Sequence, residues 1–249
     1  MAESGPGKIR LFDDFCGPEI PVANVVAYGT TAGGCHSFVG DFALKGDIAD
    51  DDAGAVALDV VNGAVRLTAT NEENEGMCLT TDTVFSPVLM GPIVVEARVN
   101  MQAVTARNIY VGLCDIIIDL IDPPVQSVTV THTLTASDLA GFHIDTSLTA
   151  GTTWHCVYNG GTTTGATAST STTSGVVAVA GEYDVLRLVV DTNGTVEWFI
   201  NGDSKQKVEN AVSTSVLQGV ICGTFGTATT ISDIDVDYLL VTANRDWTR

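Results

Sequence analysis

Apolar and polar positions alternate most cleanly late in the chain. Residues 185–190 (VLRLVV) run into Asp191-Thr192-Asn193-Gly194 and return as residues 195–200 (TVEWFI), which meet a second turn at Asn201-Gly202. Each run is rich in β-branched and aromatic residues, and Asn-Gly tolerates the positive φ angles that a tight hairpin turn needs. Residues 231–238 (ISDIDVDY) alternate strictly before the run Leu239-Leu240-Val241. Together these segments predict an antiparallel sheet with one apolar face and one wet face.

Earlier segments extend the pattern. A third Asn-Gly hairpin, at Asn62-Gly63, joins residues 56–61 to 64–70. Residues 95–101 alternate, 108–115 are apolar on both faces as in a central strand, and 77–80, 141–145 and 154–159 read as further strands. Leu11-Phe12-Asp13-Asp14-Phe15 is a first strand or an aromatic plug. Residues 22–44 are expected to form loops with short strands and 47–52 an acidic loop. Residues 116–125 are expected as a loop with an exposed apolar patch, stopped at Pro123-Pro124. Residues 135–140 suffice for one helical turn, and 160–175, built only from Gly, Thr, Ala and Ser, read as a long plain hairpin or, first, as a solvated linker. At least ten strands joined by turns predict an all-β fold, a two-sheet antiparallel β-sandwich or jelly roll. Residues 1–10 are expected as a flexible arm, 11–249 as a single sandwich domain, and 242–249 as its short tail.

Composition narrows the partners. The 249 residues are 45% hydrophobic, enough for a large core in one unit. Thirty acidic against 11 basic residues give a net charge of −19. Such a surface repels phosphate backbones and anionic lipid, so nucleic-acid and membrane partners are not expected. Residues 1–8 carry no apolar leader and no stretch has the length of a membrane span, which points to synthesis in a cytoplasm. Cys16, Cys35, Cys78, Cys114, Cys156 and Cys222 form no CxxC pair and read as buried free thiols.

Candidate chemistry is sparse. Asp233, Asp235 and Asp237 share one face of a strand, and calcium is the one cofactor they admit. A line of carboxylates does not converge, however, and reads first as a solvated face. A retaining β-glucanase needs two carboxylates about 5–5.5 Å apart, from Glu-x-Asp-x-x-Glu on one strand. The nearest match, Glu182-x-Asp184-x-x-Arg187, puts a cation at the last position, so the chain is read as no enzyme. His36, His132, His143 and His155 are read as structural. The neighbours Cys35-His36 and His155-Cys156 would point to opposite faces of a strand. Trp154, Trp198 and Trp247 are the side chains that could stack on sugar rings, and Trp198 suits core or face. Trp247, between Arg245 and Arg249, suits either an anchor on another subunit or a tail tucked against its own sheet.

Residues 186–202 (LRLVVDTNGTVEWFING) and 234–241 (IDVDYLLV) resemble the concanavalin A-like lectin/glucanase and laminin-G-like sandwiches. With Phe85-Ser86-Pro87, residues 91–99 (GPIVVEARV), 110–115 (YVGLCD) and Asn244-Arg245-Asp246-Trp247, the stretch from 67 to 249 is similar to tailed-bacteriophage virion proteins of that fold. The resemblance implies a virion structural protein made in the host cytoplasm, a capsid decoration (cement) protein on the head exterior. Its partners would be the major capsid protein and copies of itself. Lys8, Arg10, Arg245 and Arg249 would clamp acidic shell subunits, Trp247 would anchor, and Ile116, Ile117 and Ile118 would form an apolar contact. The alternative is a carbohydrate-binding module of a tail fibre or spike, with host surface glycans as partners.

Overall fold

A computed structural model describes residues 7–16, 34–47, 53–118, 121–227 and 230–245. In chain order they form β1 (Lys8–Asp13), β2 (Gly34–Val39), β3 (Phe42–Asp47), β4 (Gly54–Ala57), β5 (Val65–Thr68) and β6 (Gly76–Thr80). A single-turn helix α1 (Pro87–Met90) leads to β7 (Ile93–Asn100), β8 (Asn108–Cys114), β9 (Val125–Val128), β10 (Thr131–Leu134), β11 (Leu139–Asp145) and β12 (Thr153–Asn159). After α2 (Ser169–Thr172) come β13 (Thr173–Val177), β14 (Tyr183–Val190), β15 (Val196–Ile200), β16 (Asp203–Val208), β17 (Gly219–Phe225) and β18 (Asp233–Asn244).

Two antiparallel sheets make the expected sandwich. Sheet one runs β16-β15-β14-β7-β18-β5-β4, with β1 paired to the later half of β18. Sheet two runs β13-β12-β11-β8-β17-β6-β3-β2, while β9 and β10 form a hairpin of their own. The turns fall where the pattern put them. Asn62 and Gly63 (φ 77° and 73°) lie between β4 and β5, and Asn201 and Gly202 (φ 53° and 89°) close β15 onto β16. Gly194 (φ 77°) lies between β14 and β15.

The alternation of β18 slips once. Ile234 and Val236 are buried, and so are Leu239, Val241 and Ala243, three residues further instead of two. A register shift between Val236 and Tyr238, opposite Val99 and Arg98, absorbs the extra residue as a bulge. Without it Leu239 would face water. With it Tyr238 turns outward, and its hydroxyl donates to Glu96 Oε1 at 2.8 Å.

The main core lies between the sheets. Trp198 donates its indole N–H to the carbonyl of Gly141 at 2.9 Å, and Trp154 donates to Asp184 Oδ2 at 2.8 Å, so both tryptophans are core residues whose polar atoms are satisfied. Sheet two is buried on its outer side as well. Tyr110, Cys114, Leu139, Val157, Ile221 and Phe225 pack there under Ile117, Ile121, Val125, Leu134 and Ala136 from the 115–138 segment. This second core is why residues 108–115 are apolar on both faces.

Several expectations change. Strand β1 begins at Lys8, so the last residues of the expected arm are paired with β18. Residues 135–140 hold no helix, because Leu139 and Ala140 spend their backbone groups on β8 and β12. The 160–175 linker instead contains α2 and the start of β13, with Ser169 and Thr172 buried. Cys78, Cys114, Cys156 and Cys222 are buried free thiols, whereas Cys16 is exposed and donates its Sγ–H to the carbonyl of Asn62. Most of the 47–52 acidic loop lies outside the described residues.

Candidate functional site

The three aspartates of β18 are each met by an arginine. Arg66, opposite on β5, grips Asp235 through Nε (2.6 Å) and Nη2 (2.9 Å), and Gln102 Nε2 adds a third donor at 2.9 Å. Arg98, on β7, reaches Asp237 at 2.5 Å while its guanidinium lies 4.0 Å from the centroid of the Tyr183 ring. Arg107, just before β8, spans both oxygens of Asp233 at 3.2 Å. The hydrogen bond to Asp235 raises the Arg66 pKa further. Asp233, Asp235 and Asp237 are therefore salt-bridged, not gathered around a cation, and no group of three or more metal-ligating acids, histidines or cysteines forms among the described residues. The glucanase-like triplet also comes apart. Asp184 accepts from Trp154 and Asn201, while Arg187 is exposed near Glu96 (3.9 Å) and over the Phe199 ring (5.7 Å).

One end of the sandwich gathers most of the residues expected to touch a partner. There β1 and β7 start and β18 stops, and in sheet two β8 stops where β17 starts. Segment 81–92 ties the two sheets together: Phe85 pairs with Gln218, the Val88 N–H donates to the Thr214 carbonyl (3.1 Å), and Asn244 Nδ2 donates to the Gly91 carbonyl (2.5 Å). Lys8 Nζ donates to Asn244 Oδ1 at 2.6 Å, and Arg245 bonds back to the carbonyls of Gly7 and Lys8. Arg10 lies two residues along β1 with its guanidinium 5.1 Å from the centroid of the Phe12 ring. Trp247 and Arg249 lie outside the described residues.

The same end is apolar. Ile116 and Ile118 are exposed, as expected, while Ile117 packs inward on the second core. Val84, Val88, Leu89 and Leu217 join them, 42–51% exposed, so six of the thirteen exposed large hydrophobics among the described residues cluster here. These four were missed in the sequence. The available signal was Ser86-Pro87 before Val88-Leu89, a helix start too short to bury an apolar stripe. Asp138 pins the 213–218 loop beneath this surface, accepting from the Ser213 N–H (2.9 Å) and from the Gln218 amide. Burial pushes its pKa up to about 6, against the pull of those two donors.

A second constellation was not foreseen. His132 on β10, His143 on β11 and His155 on β12 come together with Ser127 and Thr172, all five buried. Ser127 Oγ lies 2.8 Å from His132 Nδ1 and 2.9 Å from His143 Nε2. Thr172 Oγ1 lies 2.9 Å from both His132 Nε2 and His155 Nδ1. Burial holds His132 and His143 down at about 3, helped by neighbouring imidazoles, and lowers His155 as well. No fixed sequence spacing links three different strands, so only pairing could show the cluster. His36 belongs to β2, where its side chain is not described.

No protein-family model and no curated protein sequence matches the chain. Solved structures do. A protein of unknown function, SO2946 from Shewanella oneidensis MR-1, aligns over 100% of this chain and 92% of its own at TM-score 0.54 and 11% identity. The chain has a concanavalin A-like fold. A Bacillus licheniformis β-glucanase (TM-score 0.50, 10% identity, 96% and 99% covered) and an endo-β-1,4-glucuronan lyase from Trichoderma reesei (0.50, 11%, 79% and 89%) share the sandwich. At such identities the likeness shows the fold alone. That fold nevertheless carries enzymes, so the expectation that this chain is none, drawn from one missing carboxylate, does not stand.

Proposed function

We propose that this protein is a tailed-phage virion structural protein that decorates the head exterior and docks end-on. The observation that carries this reading is the gathering of Lys8, Arg245, Ile116, Ile118, Val88, Leu89 and Leu217 at one end of a chain with net charge −19. Apolar side chains supply the buried area of the contact, and the basic corner supplies attraction and register toward an acidic shell. The remaining acidic surface keeps a densely arrayed protein soluble. The partners in this reading are the major capsid protein and further copies of the same chain.

Particles stripped of the protein and re-incubated with purified variants test it. Leu89→Glu with Leu217→Glu, and separately Lys8→Glu with Arg245→Glu, should each lower occupancy per particle while the β-sheet circular dichroism is unchanged. Wild-type occupancy in both pairs would overturn end-on docking. A second reading, a glycan-binding module, draws support from a recess of about 610 Å³ on the outer face of sheet one, lined by Arg66, Arg98, Asn100, Gln102, Tyr183 and Asp235. Amides and ion pairs beside an aromatic ring suit hydroxyl-rich ligands. A glycan array that is blank for wild type, or unaltered by Tyr183→Ala, would remove that reading.

A further inference from the structure

The histidine cluster joins two separate bodies of the fold. Ser127 and His132 belong to the β9–β10 hairpin, which has no ladder with sheet two, whereas His143 and His155 project from sheet two and Thr172 from α2. Its hydrogen positions follow from one anchor. The carbonyl of Ile109 can only accept, so the neutral His143 ring donates to it from Nδ1 (3.1 Å) and leaves Nε2 as an acceptor. Ser127 must then donate to His143 Nε2 and accept from His132 Nδ1. His132 Nε2 is thereby left to accept from Thr172, which in turn accepts from His155 Nδ1. Each hydrogen bond of the chain then has one direction, all three rings are neutral, and His155 Nε2 is left buried without a partner.

A proton added to His132 or His143, whose two ring nitrogens are both engaged, breaks this order. A protonated His143 would turn Nε2 into a donor facing a serine that already accepts from His132, and the serine proton would lose its acceptor. The rings lie 5.7 Å (His132–His143) and 5.1 Å (His132–His155) apart between centroids, so a second charge would be repelled by the first. Compensation is meagre. Asp145 Oδ2 is 4.0 Å from His143 Nε2, but its two oxygens already accept from the N–H groups of Ser127 and Ser147. Burial raises its pKa, so acid neutralises it as well. Tyr110, beside His143 on β8, donates its hydroxyl to the carbonyl of Leu113. Glu73 stands across a small recess of about 160 Å³ that Ser127, Asp145, Asn108 and Gln126 also line, so the cluster meets this recess at Ser127.

We propose that this chain of imidazoles and hydroxyls is an acid-operated latch, and that its protonation frees the β9–β10 hairpin from the outer face of sheet two. The backbone ties that remain, from His132 to Thr167, from Ser169 to Val130 and between Thr129 and residues 147 and 149, are exchangeable for water. What acid uncovers is the apolar outer layer of Tyr110, Val157 and Phe225. The inference is independent of the docking reading.

Hydrogen exchange followed by mass spectrometry between pH 7.5 and 4 tests it on the full chain. Amides of 125–134 and 169–173 should lose protection first, their opening constant rising between tenfold and a hundredfold per pH unit, for one or two protons taken up. Residues 186–200 of sheet one should stay protected. His132→Gln, which keeps a donor and an acceptor but cannot titrate, should flatten this slope. Unchanged protection of the hairpin down to pH 4, loss in step with sheet one, or an unaltered slope in the variant would each overturn the latch. A wild-type histidine NMR titration needs no variant: ordinary midpoints near 6.5 for these three rings in the folded protein would also refute it.

Discussion

Removing Arg66 is the sharpest test of how sheet one holds its charges. Asp235 is 2% exposed and receives three hydrogen bonds, two of them from Arg66. Arg66→Met keeps the aliphatic stem across β5 but leaves the carboxylate to Gln102 alone. Breaking one side of a buried pair costs about 3–5 kcal/mol. Because the Arg66 side chain is 34% exposed, water recovers part of that, and about 2–3 kcal/mol is expected here. The double variant Arg66→Met with Asp235→Leu removes the stranded charge and should regain most of the loss, since apolar replacements of buried pairs are often neutral. Urea unfolding of the four proteins of this cycle at pH 7 measures it. A single variant within about 0.5 kcal/mol of wild type, a loss no larger than surface substitutions usually give, or a double variant as unstable as the sum of the singles, would refute the reasoning.

Other expectations follow from the same structure. His132 and His143 have folded pKa values of about 3 against 6.5 when unfolded, so the unfolded chain binds more protons and their stabilisation is full above pH 6.5 and lost as pH falls toward 3. Each costs about 1.4 kcal/mol per pH unit in that window. Asp138, raised from 3.8 to about 6, works the other way between those values, and Asp145, also raised by burial, acts in the same direction, so the urea midpoint should still fall from pH 7.5 to 4.5; a midpoint that rises would contradict the histidine placement. Gly141→Ala would set a methyl 2.6 Å from Tyr110 Cζ and 2.8 Å from the Val111 carbonyl, and should cost about 1–3 kcal/mol in thermal or urea unfolding. Cys114, Cys156 and Cys222, whose thiols burial pushes up to about 12, should resist alkylation until denaturant is added, as mass mapping would show. Cys16 should label in the native protein.

Local pattern reached far into this fold. Three Asn-Gly turns, the alternating run at 95–101 and the doubly apolar run at 108–115 each became the predicted element, because a strand with one or two buried faces writes its burial into its own residues. Lys8, Arg245, Ile116 and Ile118 were also legible, as exposed charge and apolar residues, whereas Ile117 was taken up by the second core. Their neighbours Val84, Val88, Leu89 and Leu217 were not, since four scattered exposed residues carry no period.

The amino-acid order alone determined an all-β sandwich and its hairpins, because those depend on neighbours two residues apart, and the free thiols of its core, because no two cysteines are spaced as a pair. The bulge at Asp237, the arginine partners of the three aspartates, the cover over sheet two and the histidine cluster were settled only by tertiary pairing. Each joins residues from strands far apart in sequence. A carboxylate, an imidazole or a threonine hydroxyl has the same appearance in a sequence whether water or a buried partner completes its hydrogen bonds.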